Sequence, residues 1–249
     1  MRAFTTFASF ATCALVAGAA ACTIPEKELT GSSNGDPLSC LNQPLPTKVK
    51  PQVTISGTVL DPFHGDIPSG ASIEAFLTGN PSPVFTTTIG ADGKFTATTG
   101  TGTVPQDFYM KTTPNGFLPS LYYPPVPLAG DLDATIFSFI PADLGPIAGL
   151  AGVTFDTTKA VFTVIVTDCN GMPLGGATVE SVPAGDVRYF INSAPNPNAV
   201  STDAMFGLAL IANVPAVNVT IKAKYNGMEL RSHTMDAQPG YFVMTGIQP

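Results

Sequence analysis

Apolar and polar side chains alternate with a period of two along much of the chain. Residues 53–60 read Val-Thr-Ile-Ser-Gly-Thr-Val-Leu, rich in β-branched residues, which predicts a half-buried strand. Residues 61–70 carry Asp, Pro, Gly, His and Ser in turn-forming order. Further strands are expected at residues 71–77, 84–89, 94–98 and 108–113. Between the strands at 84–89 and 94–98, Asp92-Gly93 stands flanked by apolar alternation, a strong hairpin signal because type I′ turns need positive φ.

The pattern then recurs. Residues 160–167 and 177–182 read as strands separated by the turn residues 168–176, and residues 219–225 match the strand at 108–113. Asn226-Gly227 echoes Asn115-Gly116, each just after that strand. Thr202-Asp203 stands where the first copy has its hairpin, but without the tight Asp-Gly pair, so a different loop is expected there. The chain therefore reads as an internal duplication with units at residues 52–128 and 160–249. Residues 129–159 form an inter-domain linker, with a further strand at 136–140 and a short helical turn at 141–150. Pro146 and the neighbouring glycines exclude a long helix. The apolar residues of this linker are expected to pack between the units. The fold class is all-β, two tandem antiparallel sandwiches of Ig-like or transthyretin-like type.

Three motifs carry a family resemblance. Ile55-Ser56-Gly57-Thr58-Val59 is followed by Pro68-Ser69-Gly70-Ala71-Ser72-Ile73-Glu74-Ala75 and then by Ala91-Asp92-Gly93-Lys94-Phe95. This order resembles the carboxypeptidase regulatory-like module, a transthyretin-like seven-stranded sandwich. The second unit resembles it through Val164-Ile165-Val166-Thr167-Asp168, Pro173-Leu174-Gly175-Gly176-Ala177-Thr178-Val179 and Thr202-Asp203-Ala204, with Ile165 standing where the pattern has its first Gly. Together the two units cover about two thirds of the chain. The resemblance implies a non-catalytic module, and paired modules of this kind after a lipoprotein-type leader look like exported bacterial proteins.

Composition narrows the partners. Of 249 residues 44% are hydrophobic and only 12% charged, which excludes a disordered chain. With 24 Gly and 24 Pro, turns are frequent. The net charge of −7 and the scatter of Lys and Arg exclude a nucleic-acid partner, which needs a basic face.

The N-terminus sets the compartment. Arg2 is the only charge before Glu26, and a short apolar run ends in Ala19-Ala20-Ala21-Cys22. Residues 1–21 read as a signal peptide, too short for a confident membrane span. Two cleavages are open. An ordinary signal peptidase would leave a soluble periplasmic or secreted protein. Alternatively Cys22 is the acylated first residue of a lipoprotein, because Ala19-Ala20-Ala21-Cys22 resembles a lipobox, although it lacks the usual larger aliphatic residue three positions before the Cys. Residues 22–51 would then be tether and linker, with the polar run 30–36 holding the folded part off the membrane. Cys13 leaves with the leader. Cys40 and Cys169 remain as a disulfide pair in an oxidising compartment, or as two free thiols.

Catalytic chemistry is not apparent. The chain has two histidines, His64 and His233, and no G-x-S-x-G elbow. Neither histidine falls in a Tyr/His iron cluster of the intradiol dioxygenase kind. His64 lies beside Asp61 and Asp66, but the spacing matches no known calcium loop, and a solvated turn is the expectation. Gly100-Thr101-Gly102-Thr103 lacks the Lys-Ser/Thr ending of a phosphate loop. No catalytic residue, metal or cofactor is expected. Tyr122 and Tyr123 lie in a Pro-rich aromatic stretch and allow two readings: exposed rings that stack on sugars, or a strand that closes the sandwich and buries them. The functional expectation is a non-catalytic cell-envelope module for adhesion, scaffolding or spacing, with a carbohydrate-binding β-sandwich as the alternative.

Overall fold

The computed structural model describes residues 36–100 and 102–249. The expected leader, Cys13, Cys22 and the tether before residue 36 lie outside the described residues, as does Thr101.

The first unit supplies β1 (Gln52–Leu60), β2 (Ser72–Leu77), β3 (Phe85–Thr88), β4 (Lys94–Gly100), β5 (Phe108–Thr112) and β6 (Ser120–Tyr123). Residues 129–159 supply β7 (Leu132–Phe137), a single 3-10 turn (Pro141–Asp143) and α1 (Leu144–Ala151). The second unit supplies β8 (Ala160–Val166), β9 (Thr178–Val182), β10 (Asp186–Ile191), β11 (Ala194–Asn196), β12 (Leu208–Val214), β13 (Asn218–Tyr225), β14 (Met228–Glu229), β15 (His233–Asp236) and β16 (Phe242–Ile247). The protein is all-β, with very little helix.

These strands make three sheets in three layers. The middle layer is one nine-stranded sheet, ordered β11-β10-β12-β8-β16-β6-β5-β2-β3, which runs through both units. Its centre is parallel: β16 pairs with β8 on one side and β6 on the other. Strands buried on both faces read as continuous apolar runs, and β6, β8 and β16 are buried along nearly their whole length. Successive side chains leave a strand on opposite faces, so the central strands feed two cores. Leu121, Tyr123 and Val243 enter the core under the sheet β14-β13-β15, to which β9 is paired. Tyr122 and Met244 enter the core under the sheet β4-β1-β7. The two smaller sheets thus cover opposite faces of the shared one.

β7 starts earlier than the strand expected at residues 136–140. Leu132, Ala134 and Ile136 alternate with Asp133, Thr135 and Phe137, and this run lies parallel to β1, with Leu60 opposite Phe137. The linker therefore completes the first unit's outer sheet. Beyond it, Phe139, Ile147 and Ala151 pack with Val161, Leu210 and Phe242 on the back of the second unit's half of the middle sheet.

The duplication holds at the level of hydrogen bonds. Val59 N–H donates to the Gly93 carbonyl and Val166 N–H to the Gly207 carbonyl, both at 2.8 Å. Gly93 and Gly207 have φ of 78° and 61°, and a Cβ at either would meet the facing Val59 or Val166 oxygen at 2.8 or 2.3 Å, so both sites exclude a side chain. Likewise Gly70 N–H donates to Ile89 and Gly176 N–H to Thr202. Aligning Val59 with Val166 sets Gly57 against Val164, so Val164, not Ile165, occupies the position of the motif's first glycine. The second hairpin loop differs, as its sequence implies: Gly93 N–H closes on Gly90, whereas Gly207 N–H closes on Asp203 one residue farther away. One strand also changes sheets. β3 pairs with β2, but its counterpart β10 pairs with β12.

Candidate functional site

Three features bear on function: the Cys40–Cys169 junction, the aromatic residues at the unit boundary, and a carboxylate-histidine cluster beside β1.

The junction lies at the second unit. Leu38 is buried in that unit's core, and Cys169 N–H donates to the Pro37 carbonyl at 3.0 Å. The Cys40 and Cys169 sulfurs are bonded at 2.09 Å, across 129 positions of sequence. Arg231 Nε donates to the Pro249 carbonyl at 3.0 Å, and its other nitrogen reaches the Gln43 carbonyl, so one guanidinium holds the lead-in beside the final strand.

Tyr122 and Tyr123 do not form an exposed stacking platform. Both rings are buried, pointing into opposite cores from β6. The Tyr123 hydroxyl donates to the Asp236 carbonyl at 3.0 Å, and burial pushes its pKa far above the usual value. Its ring stacks on Tyr109 at 5.1 Å and meets the edge of His233 at 6.0 Å. Tyr109 in turn stacks on Phe76 at 5.1 Å. This row of rings joins strands of both units, and burial of each ring gives a sugar no access to Tyr122 or Tyr123. His233 Nδ1 lies 3.0 Å from Thr245 Oγ1, and burial holds the ring below its ordinary pKa.

His64 has a different neighbourhood from the solvated turn expected of it. Asp61, at the end of β1, is fully buried. Its Oδ1 accepts backbone N–H bonds from Phe63 (2.7 Å) and His64 (3.2 Å), which wraps the turn around the carboxylate. Its Oδ2 faces His64 Nδ1 at 3.0 Å. Asp66, the second expected neighbour, is exposed and accepts a bond from Asp61 N–H through its carbonyl. The third member of the cluster is instead Asp143, whose Oδ1 lies 3.7 Å from the same His64 nitrogen. Its Oδ2 accepts the Ile140 N–H at 3.3 Å. One nitrogen and two carboxylate oxygens so converge within 4.8 Å of one another.

The electrostatics follow from this placement. The hydrogen bond to Asp61 is the largest influence raising the His64 pKa, with the Asp143 charge acting in the same direction. Asp143 is raised mainly by burial and next by the nearby Asp61 charge. Among the described residues, His64 is the only basic side chain that pairs with either carboxylate.

Asp143 could not be found by spacing. It is far from His64 in sequence, and only the parallel pairing of β7 with β1 delivers it, by way of the turn that follows β7. The same pairing carries Ser138 alongside: its N–H donates to the Leu60 carbonyl at 2.9 Å.

No protein-family model matches the sequence, and no curated protein matches it. Among solved structures, the chain is similar to the Bacillus anthracis TIE protein at 11% identity, over 79% of this chain and 34% of that one, with a TM-score of 0.28. It is similar to the chlorocatechol 1,2-dioxygenase of Pseudomonas putida at 15% identity, over 36% and 59%, with a TM-score of 0.26. It is similar to the minor pilin of Streptococcus agalactiae at 11% identity, over 79% and 95%, with a TM-score of 0.24. The chain spans about a third of the TIE protein's length and less than two thirds of the dioxygenase's. Likeness this low assigns neither activity nor partner.

Proposed function

We propose that this chain is a non-catalytic structural lipoprotein of the bacterial cell envelope, a rigid scaffold or spacer held on a membrane through Cys22. The observation that carries this reading is the continuous nine-stranded sheet. Two units joined by a flexible linker would move independently, whereas two units sharing central strands buried on both faces move as one body. The bonded pair Cys40–Cys169 accords with an oxidising compartment. The resemblance to carboxypeptidase regulatory-like modules accords with a building block, since the matching Gly-Ala and Asp-Gly residues serve turns. No helix among the described residues is long and apolar enough to cross a membrane; the anchor proposed is an acyl chain on Cys22.

The experiment is fractionation of a bacterial host fed a clickable fatty acid. The wild-type chain is expected in the membrane fraction carrying the label. Cys22→Ser is expected to be unlabelled, and either released or retained with its leader attached. A soluble, unlabelled wild-type chain would make the leader an ordinary signal peptide. Hydrolytic or oxidative activity that survives purification and is lost in His64→Gln or His233→Gln would overturn the non-catalytic reading.

A further inference from the structure

Beyond that structural role, we propose that Asp61, His64 and Asp143, with Ser138 behind them, form a binding site for one divalent transition-metal ion of the zinc class.

The donor set is already assembled. Each carboxylate has one oxygen occupied by backbone N–H groups and the other turned toward His64 Nδ1. Two ligands on one zinc-class ion, each at about 2.0–2.2 Å, lie about 3.0–3.5 Å apart. The two separations from His64 Nδ1, 3.0 and 3.7 Å, bracket that range, and the third pair lies within 4.8 Å. Small side-chain movements bring all three onto one ion.

Charge points the same way. Asp61 is fully buried and Asp143 nearly so. Two carboxylates held this close together in a low-dielectric setting are costly without a positive partner. A divalent cation balances both. Its binding exchanges the Nδ1 proton for the metal and releases that proton to water.

An independent observation comes from Ser138. It is fully buried, and its Oγ makes no hydrogen bond. Buried hydroxyls are ordinarily paired. In the register of β1 with β7, the residue after Phe137 lies opposite the residue after Leu60, so Ser138 stands abreast of Asp61. Both are fully buried and follow the inward positions Ile136 and Val59 by two residues. Alternation therefore aims the unpartnered hydroxyl along the same inner face as the Asp61 carboxylate. An oxygen bound at the site would give this hydroxyl the partner it lacks.

The donors also select the metal. An imidazole with carboxylates suits zinc and its neighbours, whereas calcium and magnesium take oxygen ligands. His64 lies on an exposed turn, which provides an entry path.

The test uses the full chain, free of any histidine tag and stripped with a chelator, with Zn²⁺ alone as the probe in equilibrium dialysis followed by metal analysis. One Zn²⁺ per chain is expected, with a Tm that climbs as Zn²⁺ is raised. His64→Gln, on the exposed turn, should fold normally and lose both effects. Asp143→Asn should lose them too, and Ser138→Ala should weaken binding. His233→Gln is the control and should retain uptake. Ca²⁺ and Mg²⁺ should neither be taken up nor shift Tm. Absence of Zn²⁺ uptake by the wild-type chain, or uptake undiminished in His64→Gln, would overturn the proposal whatever the outcome at Cys22.

Discussion

Gly57 and Phe95 are cross-strand partners between β1 and β4, and their counterparts Val164 and Ala209 are partners between β8 and β12. One copy sets no side chain opposite a large ring, and the other sets a valine opposite an alanine, so each fills its space with a different division of volume. A Cβ on Gly57 would meet the Phe95 ring at 2.8 Å and the Ala134 carbonyl oxygen at 2.1 Å. Gly57→Ala is therefore expected to destabilise by at least the ~1–3 kcal/mol of an overpacked core. Phe95→Ala should cost about 3–5 kcal/mol through its cavity. The double mutant should be more stable than the sum of the two predicts, because the ring clash is gone. It should still be less stable than Phe95→Ala alone, because the carbonyl of β7 remains. Urea unfolding of the four proteins measures this coupling. His233 yields a second residue-scale prediction. Its folded pKa lies below the unfolded value of about 6.5, with the Tyr123 ring and Thr245 packed on it and Asp107 opposing the shift. The unfolded chain then binds more protons, so stability present above about pH 6.5 is lost as pH falls through the folded pKa. His233→Gln should remove that part of the acid sensitivity in urea midpoints taken from neutral to acidic pH. His64 is shifted the other way and contributes stability at low pH, so the informative quantity is the difference between wild type and His233→Gln.

Among the elements, the join between β6 and β16 decides whether the units are independent. Leu121 is fully buried at this join, and its neighbour Tyr122 enters the opposite core. Leu121→Ala should cost about 2–5 kcal/mol, and circular dichroism and tyrosine fluorescence should still report one coincident transition for the whole chain. A fragment of residues 52–128 should fail to fold, since it lacks β7 and the β16 partner of β6. The legibility of the sequence divides along the same line. β1, β2, β4, β5, β9 and β13 show period-two alternation because one face of each is more deeply buried than the other, and that pattern predicts all six within a few residues. β12 and β16 are apolar on both faces and carry no alternation to read. β7 does alternate, but its parallel pairing with β1 is a long-range choice that local pattern does not encode. The same gap hid half of the metal-binding cluster. Asp61 and His64 share a turn and are visible together in the sequence, whereas Asp143 and Ser138 arrive through the pairing of β7.

For the whole molecule, the covalent link between Cys40 and Cys169 should matter more than any single contact. Closing a loop across 129 positions stabilises by about 5 kcal/mol in the chain-entropy treatment, with measured gains often smaller. Reduction of the purified chain should lower Tm without changing the far-ultraviolet spectrum of the folded state. Peptide mapping without reductant should yield one linked species containing both cysteines, and free thiol at both positions would count against the junction.

That link also has a mechanical meaning. Suppose an exported chain is held at its N-terminus and tugged at any point after residue 169. The load enters at Cys40, crosses one covalent bond to Cys169 and continues into the second unit, bypassing everything between. The backbone of residues 41–168 carries none of that pull while the bond holds, and the first unit feels it only through the strands it shares with the second. In single-molecule extension, the oxidised chain should lack the length of those 129 positions, and reductant should release roughly 45 nm of hidden contour at about 3.5 Å per residue. Shear at the cell surface would then run along the backbone of the second unit, and would reach Asp61, His64 and Asp143 through the join of β6 with β16 rather than along the chain.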